Sequence, residues 1–124
     1  MTAPLALVAF ERSIPGSQLL VKLADLGYRT EQVTDLGEMV GIAEELKPLV
    51  LLIDLEWRAR DPMFTINALR NNSTTEHLPI IAYGDVTDEN RLEMSLDNGA
   101  SLVTGDDGML MQLPRLLDQA LELD

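Results

Sequence analysis

Three carboxylates, Glu11, Asp54 and Asp106, each follow a short apolar run, and Glu56 and Asp85 stand near the ends of such runs. Oxygen ligands of this kind, in a chain without cysteine, suit a hard divalent cation such as Mg2+ or Ca2+. Gathered at one place they repel and raise one another's pKa, so they need a cation, a basic side chain or bulk water. Arg12, Arg58 and Arg60 are the basic side chains of the same loops. Three arrangements stay open: a divalent site of Glu11, Asp54 and Asp106, carboxylates paired with these arginines, or solvated loop residues that never converge.

The elements that must position these residues alternate in type. Leu5–Phe10 is a continuous apolar run, as in a strand buried on both faces of a parallel sheet. After Pro15-Gly16, Leu19, Leu20, Leu23 and Leu26 have helical spacing, and Gly27 closes that helix. Tyr28–Thr34 is a polar strand suited to a sheet edge. Asp35, with Glu38 three residues on, predicts a capped helix whose apolar face is Leu36, Met39, Val40 and Ala43, stopped by Pro48. Leu49–Ile53 is the expected central strand, ending in Asp54. Asp61-Pro62 opens a third helix with Met63, Phe64, Ile66, Ala68 and Leu69 on its inner face. Pro79–Tyr83 is a fourth strand. Thr87 or Asp88 caps a fourth helix with Leu92 and Leu96 inward. Gly99–Val103 is a short fifth strand, and the last helix carries Leu113, Leu116, Leu117, Ala120 and Leu121, with Pro114 in its first turn.

Five strand–helix units in 124 residues predict one α/β domain over 1–124, a doubly wound (βα)5 fold with a parallel five-stranded sheet. In such sheets ligands sit at the carboxyl ends of the strands. Glu11-Arg12, Asp54–Arg58, Gly84-Asp85 and Gly105–Asp107 are therefore the residues to watch.

Composition narrows the function. A formal net charge of −12 repels phosphate backbones and anionic lipids, so direct nucleic-acid or membrane binding is not expected. The start, Met1-Thr2-Ala3-Pro4, has no basic stretch of a secretory leader, and no run is long enough to span a bilayer. The expected location is the cytoplasm.

Several segments together resemble the receiver domain of bacterial response regulators. Val8-Ala9-Phe10-Glu11 followed by Leu26-Gly27-Tyr28 is similar to the opening of that family. Pro48–Asp54 is similar to its central strand, Leu78–Ala82 to its fourth, and Asn98–Ser101 to the turn before its fifth. The resemblance covers nearly the whole chain, and it implies a flavodoxin-like strand order of 2-1-3-4-5. It places Asp54 at the phosphoacceptor position and Glu11 at one of two acidic Mg2+ positions, and makes the carbonyl of Glu56 the backbone metal ligand.

The departures from that pattern are substantial. Phe10 stands where the first acid is expected, Gly84 where a hydroxyl binds the phosphoryl group, and Asp106 where a Lys pairs with phosphate. Trp57-Arg58 replaces the usual Met-Pro, and Val103 the aromatic of the fifth strand. Two unit charges 4 Å apart interact by about 4 kcal/mol at an effective dielectric of 20, and an acid in place of the Lys reverses that sign. The resemblance therefore implies a degenerate receiver: a signalling interaction module independent of aspartyl phosphate. Its alternative is a working receiver that takes phosphate on Asp54 with Mg2+.

Expected partners are a histidine kinase, an output domain or another signalling protein. The face of the fourth helix, fifth strand and fifth helix is the expected surface for these and for a homodimer. Trp57 is either an exposed hot spot or a ring folded over its loop. Tyr83, read as pointing to the face of the fourth helix, is either a contact of the same interaction surface or half-buried packing; Val103 is a candidate for that surface, and Met94, Met109 and Met111 read as gap-fillers.

Two other classes are weaker. Asp54-Leu55-Glu56 superficially resembles the acid-x-acid of aspartate-nucleophile phosphatases, but Gly84 and Asp106 supply neither hydroxyl nor cation. Glu11–Ser17 has the look of a phosphate loop for a flavin, which acids at the strand ends disfavour. The expectation is a non-enzyme that needs no cofactor, with Mg2+ the one candidate ion.

Overall fold

The computed structural model describes residues 3–122; Met1-Thr2, on which the leader reading partly rests, and Leu123-Asp124 lie outside the described residues. Among the described residues, five parallel strands form one sheet: β1 (Leu5–Ala9), β2 (Arg29–Val33), β3 (Val50–Asp54), β4 (Ile80–Gly84) and β5 (Leu102–Gly105). Their order is β2-β1-β3-β4-β5, the order expected. The helices between and after them are α1 (Ser13–Asp25), α2 (Met39–Leu46), α3 (Pro62–Arg70), α4 (Glu89–Asn98), α5 (Asp106–Met111) and α6 (Leu113–Glu122).

The apolar runs are continuous because alternate residues of one strand serve opposite layers. Leu7, Ala9, Leu51, Ile53, Ile80 and Ala82 face Met39, Ala43, Met63, Ile66 and Leu69 of α2 and α3. Ala6, Val8, Val50, Leu52, Ile81 and Tyr83 face Leu19, Leu23, Met109, Leu113 and Leu117 of α1, α5 and α6. Fully burying each Leu or Ile contributes about 1.5–3 kcal/mol. In β2 only Val33 is buried, as its polar sequence and edge position require.

Several elements depart from expectation. The cap of Asp35 forms, but on Gly37 N of a 3-10 turn (Leu36–Glu38) that precedes α2. Gly99 (φ 126°) closes α4, and Ala100 N donates to Ser95 O, so β5 begins only at Leu102 instead of Gly99. Gly105–Asp107 is not a free loop: Asp106 begins the short α5. The break between α5 and α6 follows from Pro114, which lacks the N–H needed to carry α5 onward.

On α3, Phe64 points out and Thr65 takes a buried place; on α4, Leu96 is exposed and Ser95 is buried. Of Met94, Met109 and Met111, only Met109 fills the core, while Met94 and Met111 are exposed. Among the described residues no helix is long and apolar enough to cross a membrane.

Candidate functional site at the carboxyl edge

The connections run outward in opposite directions from β1 and β3, so the carboxyl ends of these two neighbours flank the switch in strand order. Phe10, Glu11 and Arg12 leave β1 there, and Asp54, Leu55 and Glu56 end β3. Strand alternation puts Asp54 on the same face as Val50 and Leu52, paired in register with Tyr83 of β4. Asp54 is completely buried, at 0% exposure.

Arg12 answers that buried charge. Its Nε and Nη2 donate to Asp54 Oδ2 and Oδ1, both at 2.9 Å. The same guanidinium reaches Asp106, with Nη1 to Oδ2 at 2.9 Å and Nη2 to Oδ1 at 3.1 Å. One planar fork thus joins the ends of β1 and β3 to the start of α5. Of the three arginines considered from sequence, it is the one on Asp54. Glu56 N adds a hydrogen bond to Asp54 Oδ1 at 2.8 Å. Burial still pushes the Asp54 carboxyl above its ordinary value, against the lowering effect of Arg12 and Glu56 N–H. Hydrogen bonds to Asp106 and Asp54 hold Arg12 more firmly protonated than usual.

The other carboxylates go elsewhere. Glu11 Oε1 accepts from Arg58 N at 2.9 Å, on the exposed side of the loop. Glu56 Oε2 accepts from Arg91 Nη1 at 2.7 Å and from Asp85 N at 3.1 Å. Asp85 Oδ1 accepts from the hydroxyl and N–H of Thr87, which lower its pKa. Among the described residues, no three His, Cys, Asp or Glu side chains are placed to hold a metal ion. The reasons are specific: Phe10 brings no ligand, Glu11 is drawn to Arg58 N–H, and Arg12 takes both oxygens of Asp54. As placed, the residues do not fit a divalent cation.

Phe10 is buried in the layer of α1, α5 and α6, with its ring against Gly16: a Cβ on Gly16 would lie 2.2 Å from Phe10 Cδ2. At Gly84, an added Cβ would lie 2.7 Å from Glu56 Oε2. The Glu56 carboxylate occupies the space beside the residue where the resemblance expects a hydroxyl.

Tyr83 corrects one expectation. It is wholly buried on the α1, α5 and α6 side, because β4 alternation turns Ile81 and Tyr83 away from α3, so it is not part of an exposed surface. Burial pushes its phenol up. Trp57 is half-buried and packed with Val103 against the α2–α3 layer, which matches the ring folded inward. Trp57 Nε1 and Tyr83 Oη are shielded from solvent without a hydrogen bond among the described residues. A cleft of about 560 Å3 remains above the edge, lined chiefly by Glu11, Arg12, Glu56, Trp57, Arg58 and Arg91.

Arg91 is a site residue that sequence reading missed. Besides pairing with Glu56, its Nη2 donates to the Leu55 carbonyl. α4 buries only Ser95 fully, and this clamp ties the helix to the segment that leaves β3. The available signal was an arginine three residues after the cap Asp88, in a helix poor in apolar residues. Arg91→Ala is expected to cost about 2 kcal/mol, because it leaves Glu56 without its cation and the partly buried Leu55 carbonyl without this donor. Hydrogen exchange should show the loss as faster exchange across α4 than across α3.

No protein-family model matches the sequence, and no curated protein sequence matches it. Solved structures do resemble it. The receiver domain of sensor histidine kinase PA1611 from Pseudomonas aeruginosa PAO1, which has a magnesium ion coordinated in its active-site cleft, superposes with a TM-score of 0.87 at 21% identity, over 98% of this chain and 99% of that one. The signal receiver domain of a modulated diguanylate cyclase from Desulfovibrio desulfuricans gives 0.82 at 22% identity, over 98% and 96%. The chemotaxis response regulator CheY4 of Vibrio cholerae gives 0.79 at 19%, over 93% and 99%. The chain has the fold of response regulator receiver domains.

Proposed function

We propose that this receiver-fold chain, one domain across residues 1–124, serves cytoplasmic signal transduction as a protein-interaction module whose output does not depend on an aspartyl phosphate. The observation that carries the reading is the Arg12 fork. Both oxygens of Asp54 already accept from Arg12, and the second acid of the fork, Asp106, stands where a phosphate-pairing Lys is expected. Phosphoryl transfer depends on cations that neutralise the equatorial oxygens. Here the one cation at Asp54 is shared by two carboxylates. On this reading the chain is not an enzyme and requires no cofactor. Its partner is a histidine kinase, an output domain or another signalling protein, and the face of α4, β5 and the α5–α6 segment is where such a partner, or a second copy, would bind. Val103 lies half-buried on β5, and Met94 and Leu96 are exposed on α4.

Incubation with Mg2+ and acetyl phosphate, or with beryllofluoride, tests the proposal. The expected result is an unchanged intact mass and unchanged Trp57 fluorescence, the same as for Asp54→Asn. A stoichiometric adduct on the wild-type chain only, with a change in shape or binding, would establish the alternative: a working receiver that accepts phosphate on Asp54 with Mg2+. Fluorescence that responds to Mg2+ alone would point to a divalent site and against the Arg12 fork as drawn.

A further inference from the structure

We propose that the groove between α2 and α3 beside Phe64 docks a basic helical peptide segment carrying an apolar anchor. Phe64 is 81% exposed, although the helix it sits on buries Met63, Thr65 and Ile66 around it. The ring stands at a groove of about 360 Å3 lined by Leu36, Val40, Ala68 and Phe64, with Arg60 and Asp61 as its charged members. Leu36 of the 3-10 turn floors one side with Val40 of α2, and Phe64 and Ala68 lie four apart on the α3 wall. A helix laid along the α3 wall would meet it through anchors at that period. An aromatic at the edge of such a groove is a favoured hot spot.

Charge selects the occupant. The local acids Asp35, Glu38 and Asp61 are all exposed, and the cation of the groove lining, Arg60, is already paired with Asp35 at 3.5 Å and lies across Gly37. The surroundings of the groove are therefore acidic, on a chain of net charge −12. A second copy would bring two such surfaces together and repel. A segment with Lys or Arg flanking a Leu- or Met-type anchor meets attraction at the acids and burial at Phe64. This surface is separate from the α4–β5 face and does not depend on the state of Asp54.

The test is a titration of the full chain with a short amphipathic peptide of Leu and Lys at helical spacing, read by backbone amide NMR shifts. A counterpart with Glu in place of Lys runs beside it. Expected are saturable shifts centred on Leu36, Val40, Phe64 and Ala68 with the Lys peptide only. Phe64→Ala, at an exposed position that leaves the melting temperature unchanged, should weaken binding by about 30-fold. Met94→Ala on α4 should leave it unaltered. The proposal is overturned if the Lys peptide does not bind, if it binds Phe64→Ala equally well, or if its shifts centre elsewhere. Groove shifts that grow with chain concentration without peptide would overturn it in favour of a second copy.

Discussion

Arg12→Ala is expected to lower the stability of the fold by about 3–5 kcal/mol, the cost of leaving a buried charge without its partner. Asp54 has no exposure and Arg12 is the cation it touches. Urea unfolding at neutral pH is the measurement, and Asp54→Asn in the same chain should recover most of the loss. That recovery distinguishes an unpaired charge from lost packing of the arginine stem. The pH dependence follows from the same pair. Burial holds the folded-state pKa of Asp54 above its unfolded value. The contribution of this group to stability is then fully present below the unfolded pKa and is lost as pH rises through the folded one. Removing Arg12 takes away two influences that lower that pKa and moves it further up. The deficit of Arg12→Ala should therefore shrink as the solution is acidified from neutral pH through the raised titration range of Asp54, above the ordinary carboxylate range. A deficit that stays constant with pH would show that Asp54 is not the cause.

Phe10→Ala is the second large change, at about 3–5 kcal/mol for an aromatic removed from a closed core. Gly16 makes the effect diagnostic. With Phe10 present, Gly16→Ala drives a methyl to within 2.2 Å of the ring, so the single variant should be strongly destabilised. With Phe10→Ala in place, the same methyl enters vacated space. The two changes should be non-additive, the double variant more stable than the sum of the singles predicts by about 1–3 kcal/mol. Additive losses, read from chemical unfolding of the four chains, would place the ring elsewhere.

The sheet was legible because Leu5–Phe10 and Leu49–Ile53 are continuous apolar runs, which parallel strands between two helical layers demand. The same period that located α3 and α4 misassigned Phe64 and Leu96. Helical spacing gives a stripe, but which neighbour covers the stripe is decided by tertiary packing, and α4 has too few apolar residues to define one. The start of β5 was read three residues early, since Gly99-Ala100 belongs to the closure of α4. At the site, Phe10, Gly84 and Asp106 stood out residue by residue, at the positions where the resemblance expects an acid, a hydroxyl and a Lys. Arg12 was visible as one of several cations for Asp54. Its double grip on Asp106 was not, because Asp106 was read as a loop residue and not as the first residue of α5. Tyr83 was misread for a similar reason: strand alternation names two faces without saying which helices cover each.

The fork that joins β1, β3 and α5 also acts as a ratchet on what the chain can become. An acid at position 10 alone would place a carboxylate in the aromatic slot closed by Gly16. A Lys at position 106 alone would set an ammonium against the Arg12 guanidinium. Removal of Arg12 alone leaves Asp54 with the Glu56 N–H and without its cation. Each single change therefore meets an opposing contact at the same edge. The fork couples positions 12, 54 and 106, so a replacement at one alters what the other two can hold.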